Sequence, residues 1–272
     1  MTSIEGKPNS AQKHNNNGGA INFEEFEQNF QTITGIVFGK KLVKHQDYEA
    51  WLSRNVTVSD KEKSKISDSM VQLPPYQFYR DIRKNVVDIE EAYEIMGKKQ
   101  LTERQLEQLS LANAKSVLKE ISTTTPDTQY GTNTNIVDCP LYYNSHACYK
   151  SPALNKARGC LYSFWPRYSE YLVGCYYTFS SKFCVKCYTS QELTRCFEIS
   201  DSNNCTDCYF CHNCENLSNC MFCFNVKAKR YAIANVEVGQ ELYGKIKKLV
   251  LDELVAKIER DKDLELGIYK IN

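Results

Sequence analysis

The sequence has almost no excess charge of either sign: 34 Lys and Arg residues stand against 33 Asp and Glu residues, for a formal net charge of +1. Without a strong overall field, there is no general attraction for nucleic acid or an anionic membrane. The sequence has no run of eighteen apolar residues, and its N-terminus has no apolar stretch or cleavage site of a secretory signal. We expect no membrane contact and a cytoplasmic protein, or a virion component if the source is viral.

The sequence also lacks the patterns of common catalytic sites. It contains no HExxH motif and no glycine-rich phosphate loop. No nucleophile elbow is recognisable either, and only four histidines are present. We predict a non-catalytic protein with no catalytic residues, no resident cofactor and no small-molecule substrate.

Composition divides the chain into five segments. Residues 1–22 form a polar arm of a kind that is usually disordered unless a larger assembly holds it. Residues 23–121 have helical periodicity, and residues 122–138 are a polar linker. Residues 139–236 carry all the cysteines, and residues 237–272 contain a C-terminal helix and tail. The predicted class is α+β: a helical region, then a cysteine-lined β-solenoid-like repeat, then a capping amphipathic helix.

The strongest helical pattern lies in the middle of the helical region. Six apolar residues alternate in steps of three and four, which predicts one helix from Tyr79 to Met96 with Gly97 just past its end. A second helix is predicted to open at Thr102, where Gln105 completes a capping-box spacing. We expect these two amphipathic helices to pack as a hairpin.

Other helical patterns flank this pair. Weaker ones cover residues 23–30 and 48–52, and the dipeptide Pro74-Pro75 separates them from the predicted hairpin. Near the C-terminus, apolar residues recur every four positions from Leu242 to Ile258, which predicts a long amphipathic helix. Solenoids need their open ends covered, so we expect this helix to cap the repeat.

The cysteines form an internal repeat. Every interval between them is a multiple of three, although independent placement would put all of them in one phase roughly twice in a million trials. They occupy positions 139, 148, 160, 175, 184, 187, 196, 205, 208, 211, 214, 220 and 223. Neither a straight strand nor a standard helix keeps a step of three on one face. A coil that turns a corner every three residues does keep this step on one face. It would place the small thiols in a narrow interior.

Two further patterns share this phase. Asn204, Asn213 and Asn219 each precede a cysteine, and asparagine tolerates the left-handed backbone that a corner requires. Aromatic residues directly follow six cysteines, which predicts a stacked ladder. These are Tyr149, Tyr176, Tyr188, Phe197, Tyr209 and Phe224.

An alternative interpretation of the cysteines is a metal site. CxxC pairs are typical of zinc because their short loop lets two thiolates reach one tetrahedral ion. The candidate ligands are Cys184 and Cys187, the run Cys205, Cys208, Cys211 and Cys214, and the pair Cys220 and Cys223. Zinc is the metal that this spacing would favour.

Three other assignments stay open. The run of four cysteines resembles iron–sulfur ligation, although its last spacing is two residues and no proline follows Cys214. His212 is either a further ligand or a turn residue. Disulfides between coils would form only in oxidising surroundings.

Nucleic acid is an unfavourable partner for the repeat. Between Cys139 and Phe224 there are seven Lys or Arg residues against six Asp or Glu residues, and none of the basic residues follows Arg195. Phosphate contacts need such donors. The basic segment 226–231 lies just beyond and is either a contact site or a solvated cluster.

Residues 193–238 resemble the C-terminal half of an uncharacterised family of cysteine-rich repeat proteins from archaea, candidate-phylum bacteria and their viruses. That family has NCxxCxxC units, a phrase like MFCFNxKxKRYAI and then a helix that begins near an acidic-tyrosine segment. The matching parts are Cys205–Cys214, Met221–Ile233 and Glu241-Leu242-Tyr243. The resemblance implies kinship and no particular activity. Longer members carry an N-terminal zinc-ribbon-like segment, whereas this chain has no cysteine before Cys139.

These observations lead to one expectation and one alternative. We expect a structural or interaction protein that binds protein partners or assembles with itself. It would be a component of a larger assembly, which is a virus particle if the source is viral. The alternative is a zinc-stabilised module that contacts protein or nucleic acid.

Overall fold

The computed structural model describes residues 13–14 and 20–271. Its centre is a β-solenoid that winds about nine times between residues 129 and 233. A region of short helices and one hairpin precedes the solenoid, and a long helix follows it. This arrangement confirms the predicted α+β class with its cysteine-lined solenoid and C-terminal helix.

The described elements run in the following order. The α-helices are α1 (Phe23–Phe38), α2 (Glu49–Leu52), α3 (Gln77–Asp81), α4 (Ile89–Ile95), α5 (Glu103–Glu107), α6 (Ala114–Val117) and α7 (Gln240–Asp261). Short 3-10 helices span His45–Tyr48, Arg83–Asn85, Leu118–Glu120 and Ile268–Lys270. The strands are β1 (Lys13–His14), β2 (Asp60–Lys63), β3 (Met70–Leu73), β4 (Gln129–Tyr130), β5 (Thr134–Val137), β6 (Tyr142–Tyr143), β7 (His146–Tyr149), β8 (Leu154–Asn155), β9 (Glu170–Val173), β10 (Tyr176–Phe179), β11 (Lys182–Val185), β12 (Tyr188–Gln191), β13 (Thr194–Ser200), β14 (Asn203–Thr206), β15 (Tyr209–His212), β16 (Glu215–Met221), β17 (Arg230–Ile233) and β18 (Val236–Glu237).

Each coil of the solenoid contains twelve residues. Cys184, for example, pairs in parallel with Leu172 in the coil before and with Cys196 in the coil after. Every third residue from Asn135 to Ala234 has a left-handed backbone, with φ between 45 and 66°. Each of these residues turns the chain, so a coil has four sides of three residues.

The corners are stabilised by hydrogen bonds between coils. A left-handed backbone costs a non-glycine residue roughly 1–2 kcal/mol, so a regular set of bonds must offset it. The N–H of the corner residue Lys150 donates to the carbonyl of Val137 at 2.9 Å, and the N–H of Tyr149 before it donates to Cys160 at 3.0 Å. The same pattern repeats along the solenoid. Asn204, Asn213 and Asn219 have φ of 50, 51 and 53°, which confirms their predicted place at corners.

The residue after each corner faces the interior, and all thirteen cysteines occupy this position and are buried. Small side chains with one polar hydrogen fit here because they also bond to the backbone. The Cys196 Sγ donates to the carbonyls of Thr194 and Cys205, both at 3.4 Å. The Ser163 Oγ at an equivalent position donates to Leu161 and accepts the N–H of Cys175. The predicted interior of stacked thiols is therefore confirmed.

The four sides give the solenoid four outer faces, each with one outward residue per coil. The covered face carries Val137, Tyr149, Leu161, Val173, Val185, Phe197, Tyr209, Met221 and Ile233. The second face includes Phe164, Tyr176, Tyr188 and Ser200, the third includes Arg167, Phe179, Gln191 and Asn203, and the fourth includes Arg158, Glu170, Lys182 and Thr194. The six aromatic residues predicted to form one ladder therefore divide between two faces, because a coil has four sides.

Helix α1 lies lengthwise along the covered face. Its Phe26 ring is 5.4 Å from the Tyr149 ring, and its Phe38 ring is 4.9 Å from the Phe197 ring. Phe38 follows Phe26 by twelve residues, which corresponds to about 18 Å along the helix. The four coils between their partners span about 19 Å. The length of this helical segment matches the height of the four coils. The buried face of α1 therefore contacts successive coils.

Helix α7 confirms the predicted C-terminal helix but lies elsewhere than expected. Its Tyr243 hydroxyl donates to the carbonyl of Asp207, and its Lys247 lies 4.9 Å from the centre of the Tyr209 ring. Near its other end, Glu259 pairs with Lys40 beyond α1. The prediction that it caps the open end was wrong, because its apolar residues pack on the covered face beside α1.

Other segments lie at the two ends of the solenoid. At the last coil, β18 pairs antiparallel with β17. At the first coil, β1 pairs antiparallel with β5, and Gln72 of the β2–β3 hairpin donates to Asp138 at 2.9 Å. Within residues 20–271, no helix combines the length and apolar composition needed to cross a bilayer.

The single helix predicted from Tyr79 to Met96 was wrong. Helix α3 ends at Asp81, and Val86 packs with Val71 and Leu73 of the hairpin instead of continuing a helix. Asp88 then starts α4 with a capping box of its own. Steps of three and four among apolar residues here reflect separate contacts, not one helical face.

The second predicted helix does begin at Thr102, whose side chain forms the predicted capping box with Gln105. It ends at Glu107, and Leu111 in the expected apolar stripe is 97% exposed. Short segments therefore replace the predicted hairpin.

The solenoid begins at residue 129, inside the segment predicted as a linker. Most of the predicted arm, residues 1–12 and 15–19, lies outside the described residues.

Candidate interaction surface

The eight cysteines proposed as zinc ligands all face the interior of the solenoid. Cys184 and Cys187 lie on adjoining sides of one coil, and so do Cys220 and Cys223. Cys205, Cys208, Cys211 and Cys214 are the four inward residues of a single coil, one on each side. The structure thus brings four sulfur atoms into one coil.

These thiols already bond to the backbone. The Cys214 Sγ donates to the carbonyls of His212 at 3.3 Å and Cys223 at 3.4 Å. Burial raises the pKa of Cys214 to about 11, because water no longer solvates its thiolate. None of the thirteen cysteines forms a disulfide. Over residues 20–271, no group of three or more His, Cys, Asp or Glu side chains is arranged to hold a metal ion, and zinc binding stays a prediction.

The two other sequence candidates lie on the outside of the solenoid. The His212 Nδ1 lies 2.8 Å from the Ser200 Oγ one coil before it and 3.4 Å from a carboxylate oxygen of Asp201. In the basic segment 226–231, Lys227 pairs with Glu215 at 2.5 Å. Both therefore have partners within the solenoid surface.

A cluster of aromatic rings around one corner was not expected from the sequence. It lies where the second face meets the third, in two successive coils, and includes one segment that follows Pro75. We call it the aromatic patch, and it consists of Tyr76, Phe78, Tyr79, Phe164, Trp165, Arg167, Tyr176, Tyr177 and Phe179, together with Tyr168 at the next corner after Arg167.

The solenoid positions these rings by stacking equivalent residues. Phe164 is in register with Tyr176 of the next coil, and their rings are 5.3 Å apart at an interplanar angle of 21°. Trp165 lies 4.8 Å from Tyr177 at the corner itself. The spacing of adjacent coils is close to the distance at which aromatic rings attract each other.

The Arg167 guanidinium lies between rings of the patch. Its central carbon is 4.4 Å from the centre of the Trp165 ring and 5.8 Å from that of Phe179. Both distances are within the range of a cation–π interaction. These contacts hold the side chain against the third face.

Parts of the patch remain open to solvent. Phe78 is 59% exposed and Tyr168 is 58% exposed. Burial raises the pKa of the Tyr76 and Tyr79 hydroxyls, so both stay protonated hydrogen-bond donors.

A polar groove of about 420 Å³ continues the patch along the same corner. Tyr177 and Phe179 form its aromatic end. Hydroxyl, amide and carboxylate groups of the next two coils line the rest, namely Thr189, Ser190, Gln191, Asp201, Ser202 and Asn203. The surface thus combines aromatic rings, one arginine and a polar border.

The sequence contained a signal for part of this surface. The tetrapeptides Phe164–Arg167 and Tyr176–Phe179 are twelve residues apart and both begin with two aromatic residues. The coil length, which the cysteine spacing left open, would have identified them as neighbours. Nothing in the sequence indicated that residues 76–79 join them.

A scan against protein-family models and a search of curated proteins find no match to this chain.

Proposed function

We propose that this chain is a structural or interaction protein that anchors another protein of a larger assembly on its aromatic patch. The observation that carries the proposal is the stack of Trp165, Arg167 and Phe179 beside the exposed rings of Phe78 and Tyr168. Tryptophan, tyrosine and arginine contribute most of the binding energy at protein interfaces. Contiguous exposed patches of large apolar side chains mark such an interface more often than singly exposed ones do.

The surroundings of the patch favour a protein partner over nucleic acid. Arg167 and Lys156, which lies 5.0 Å from the centre of the Tyr168 ring, are the cations that contact its rings. Binding to phosphates would need more positive charge than this. The polar groove beside the rings resembles the rim that surrounds the apolar centre of a protein interface.

The solenoid supplies a rigid support for such a contact. Each patch residue on it sits in a coil that bonds to the coils before and after it. Rings held in this way lose little conformational entropy on binding. The proposal places the protein in the cytoplasm, where reducing surroundings keep thiols free, or in a virion if the source is viral. It includes kinship with the cysteine-rich repeat family, on the strength of residues 193–238.

Site-specific photo-crosslinking in the native host tests the proposal. A photoreactive phenylalanine analogue at Tyr168 should give one protein adduct of discrete mass, and Trp165→Ala in the same chain should abolish it. An analogue at Lys182 on the fourth face is the matched control and should give no such adduct. An adduct of twice the chain mass would identify the partner as a second copy. No adduct at Tyr168, or the same adducts at both positions, would refute the proposal.

A zinc-stabilised binding module is the second candidate. The coil with Cys205, Cys208, Cys211 and Cys214 favours it, because four sulfur atoms lie on its four sides. Elemental analysis of protein purified without chelator decides between the two candidates. At least one zinc per chain, with a melting temperature that falls on chelation, would support this alternative.

A further inference from the structure

A cavity that shares no residue with the aromatic patch lies at a junction of three parts of the chain. It has a volume of about 650 Å³, within the range of small-molecule sites. Residues 46–53 form one wall, and the β2–β3 hairpin contributes a second. The third wall is a column of corner residues from the first coils, Asp138, Lys150 and Tyr162.

The deep end of the cavity is fixed by hydrogen bonds. The Tyr162 side chain is almost fully buried, and its hydroxyl lies 2.9 Å from the Nδ1 of His45. The Glu27 carboxylate accepts the backbone N–H of His45 at 3.0 Å, which fixes the backbone of the histidine. Burial lowers the pKa of His45, so the imidazole is neutral at physiological pH. The deep end is therefore preformed and uncharged.

The walls carry charges of both signs in two separate pairs. Glu49 of α2 pairs with Lys150 at 2.6 Å. Lys61 of the hairpin pairs with Asp138 at 3.3 Å, and Asp138 also accepts a hydrogen bond from Gln72. Each pair joins an N-terminal segment to the solenoid, and a carboxylate and an ammonium of different pairs border the same space.

The two ion pairs in the walls determine which ligand charge the cavity can accept. A simple anion would bind Lys61 or Lys150 and leave a carboxylate of the wall without its partner. A simple cation would do the same to an ammonium, and a partly buried charge that loses its partner is costly. A zwitterion can insert its carboxylate beside one lysine and its ammonium beside Asp138 or Glu49, and every charge keeps a partner.

We infer that this cavity binds a small zwitterion of the free amino acid or dipeptide class. The ammonium of the ligand bonds to Asp138 or Glu49, and its carboxylate bonds to Lys150 or Lys61. This binding is independent of the proposed protein contact, because the aromatic patch shares no residue with the cavity.

Isothermal titration calorimetry tests the inference on the full chain. The probes are free α-amino acids and glycyl dipeptides at up to about 10 mM, a range that detects millimolar affinity. For the tightest probe, its N-acetyl derivative and its methyl ester each lack one charge, and each should bind at least about tenfold more weakly. No saturable binding by any probe would overturn the inference. A derivative that binds as tightly as its parent probe would overturn it as well.

Two variants provide an independent comparison. Lys150→Met should weaken the tightest probe by about tenfold or more. Lys182→Met removes a lysine from a similar pair with Glu170 on the fourth face and should leave binding unchanged. If Lys150→Met fails to fold, titration of the natural chain with the N-acetyl and methyl ester derivatives still tests the inference. A Lys150→Met chain that is folded and binds normally would refute the assigned role.

Discussion

The Lys186 Nζ lies 4.0 Å from the Glu198 Oε1, and both side chains are almost completely buried. The two residues are corner residues in adjacent coils, so the solenoid stacks one on the other. Lys186 also donates to the carbonyl of Trp51 at 2.9 Å, and Glu198 accepts the N–H of Ile268 at 2.8 Å. One ion pair therefore fastens both an N-terminal and a C-terminal segment to the solenoid.

Removing one partner of this pair should destabilise the fold strongly. Lys186→Met leaves Glu198 buried without a cation, and we expect a loss of about 3–5 kcal/mol in the free energy of unfolding. Urea denaturation measures it. Lys182→Met in the exposed pair with Glu170 is the control and should cost less than about 1 kcal/mol. Equal losses in the two variants would contradict the assigned role of Lys186.

The same pair should make stability depend on pH. Burial raises the pKa of Glu198 from 4.5 to about 7, although Lys186 opposes the shift. Between pH 4.5 and 7 the folded chain keeps a proton that the unfolded chain has released, so this contribution to stability is lost as pH rises. Urea denaturation at several pH values should show the wild type losing stability relative to Glu198→Gln across this window. A constant difference between the two chains would show that Glu198 does not titrate there.

Interior thiols should be replaceable by serine but not by larger side chains. Cys196→Ser keeps a donor for the carbonyls of Thr194 and Cys205, and we expect a change within about 1.5 kcal/mol. Cys196→Leu adds volume to a filled interior and should cost roughly 1–3 kcal/mol or more. Thermal unfolding followed by circular dichroism compares them. If Cys196→Ser lowered the stability as much as Cys196→Leu, the result would argue against a space-filling role for the thiol.

The left-handed corners predict opposite effects of two substitutions at one exposed position. Ser180 has φ of 48°, which glycine adopts freely and proline cannot adopt. Ser180→Gly should leave the free energy of unfolding unchanged or raise it slightly, whereas Ser180→Pro should lower it by about 3 kcal/mol or more. Urea denaturation measures both. If proline were tolerated, the corner could not be left-handed.

The repeat was predictable because one small residue type occupies one structural position. Cysteines in steps of three required a chain that turns every three residues, and the asparagines before them fitted the corners. The number of sides was not predictable, since a step of three suits any number of corners. The first coil was missed because its buried residues include Asn133 and Ile136 in addition to Cys139.

The candidate surface was harder to predict than the fold. Its rings come from residues 76–79 and from 164–179, and only tertiary packing brings these segments together. The helix predicted from Tyr79 to Met96 failed for a related reason. Val86 contacts the hairpin, while Tyr93 and Met96 are 65% and 67% exposed, so their spacing did not reflect one buried face.

The match between α1 and the covered face restricts how this gene can change in length. Repeat proteins commonly evolve by gaining or losing whole units, here twelve codons at a time. An extra unit between Tyr149 and Phe197 would move Phe197 about 5 Å away from Phe38. Three residues added to α1 would restore that distance but leave its side chains about 60° out of alignment. Insertions and deletions under α1 must therefore be rarer than substitutions.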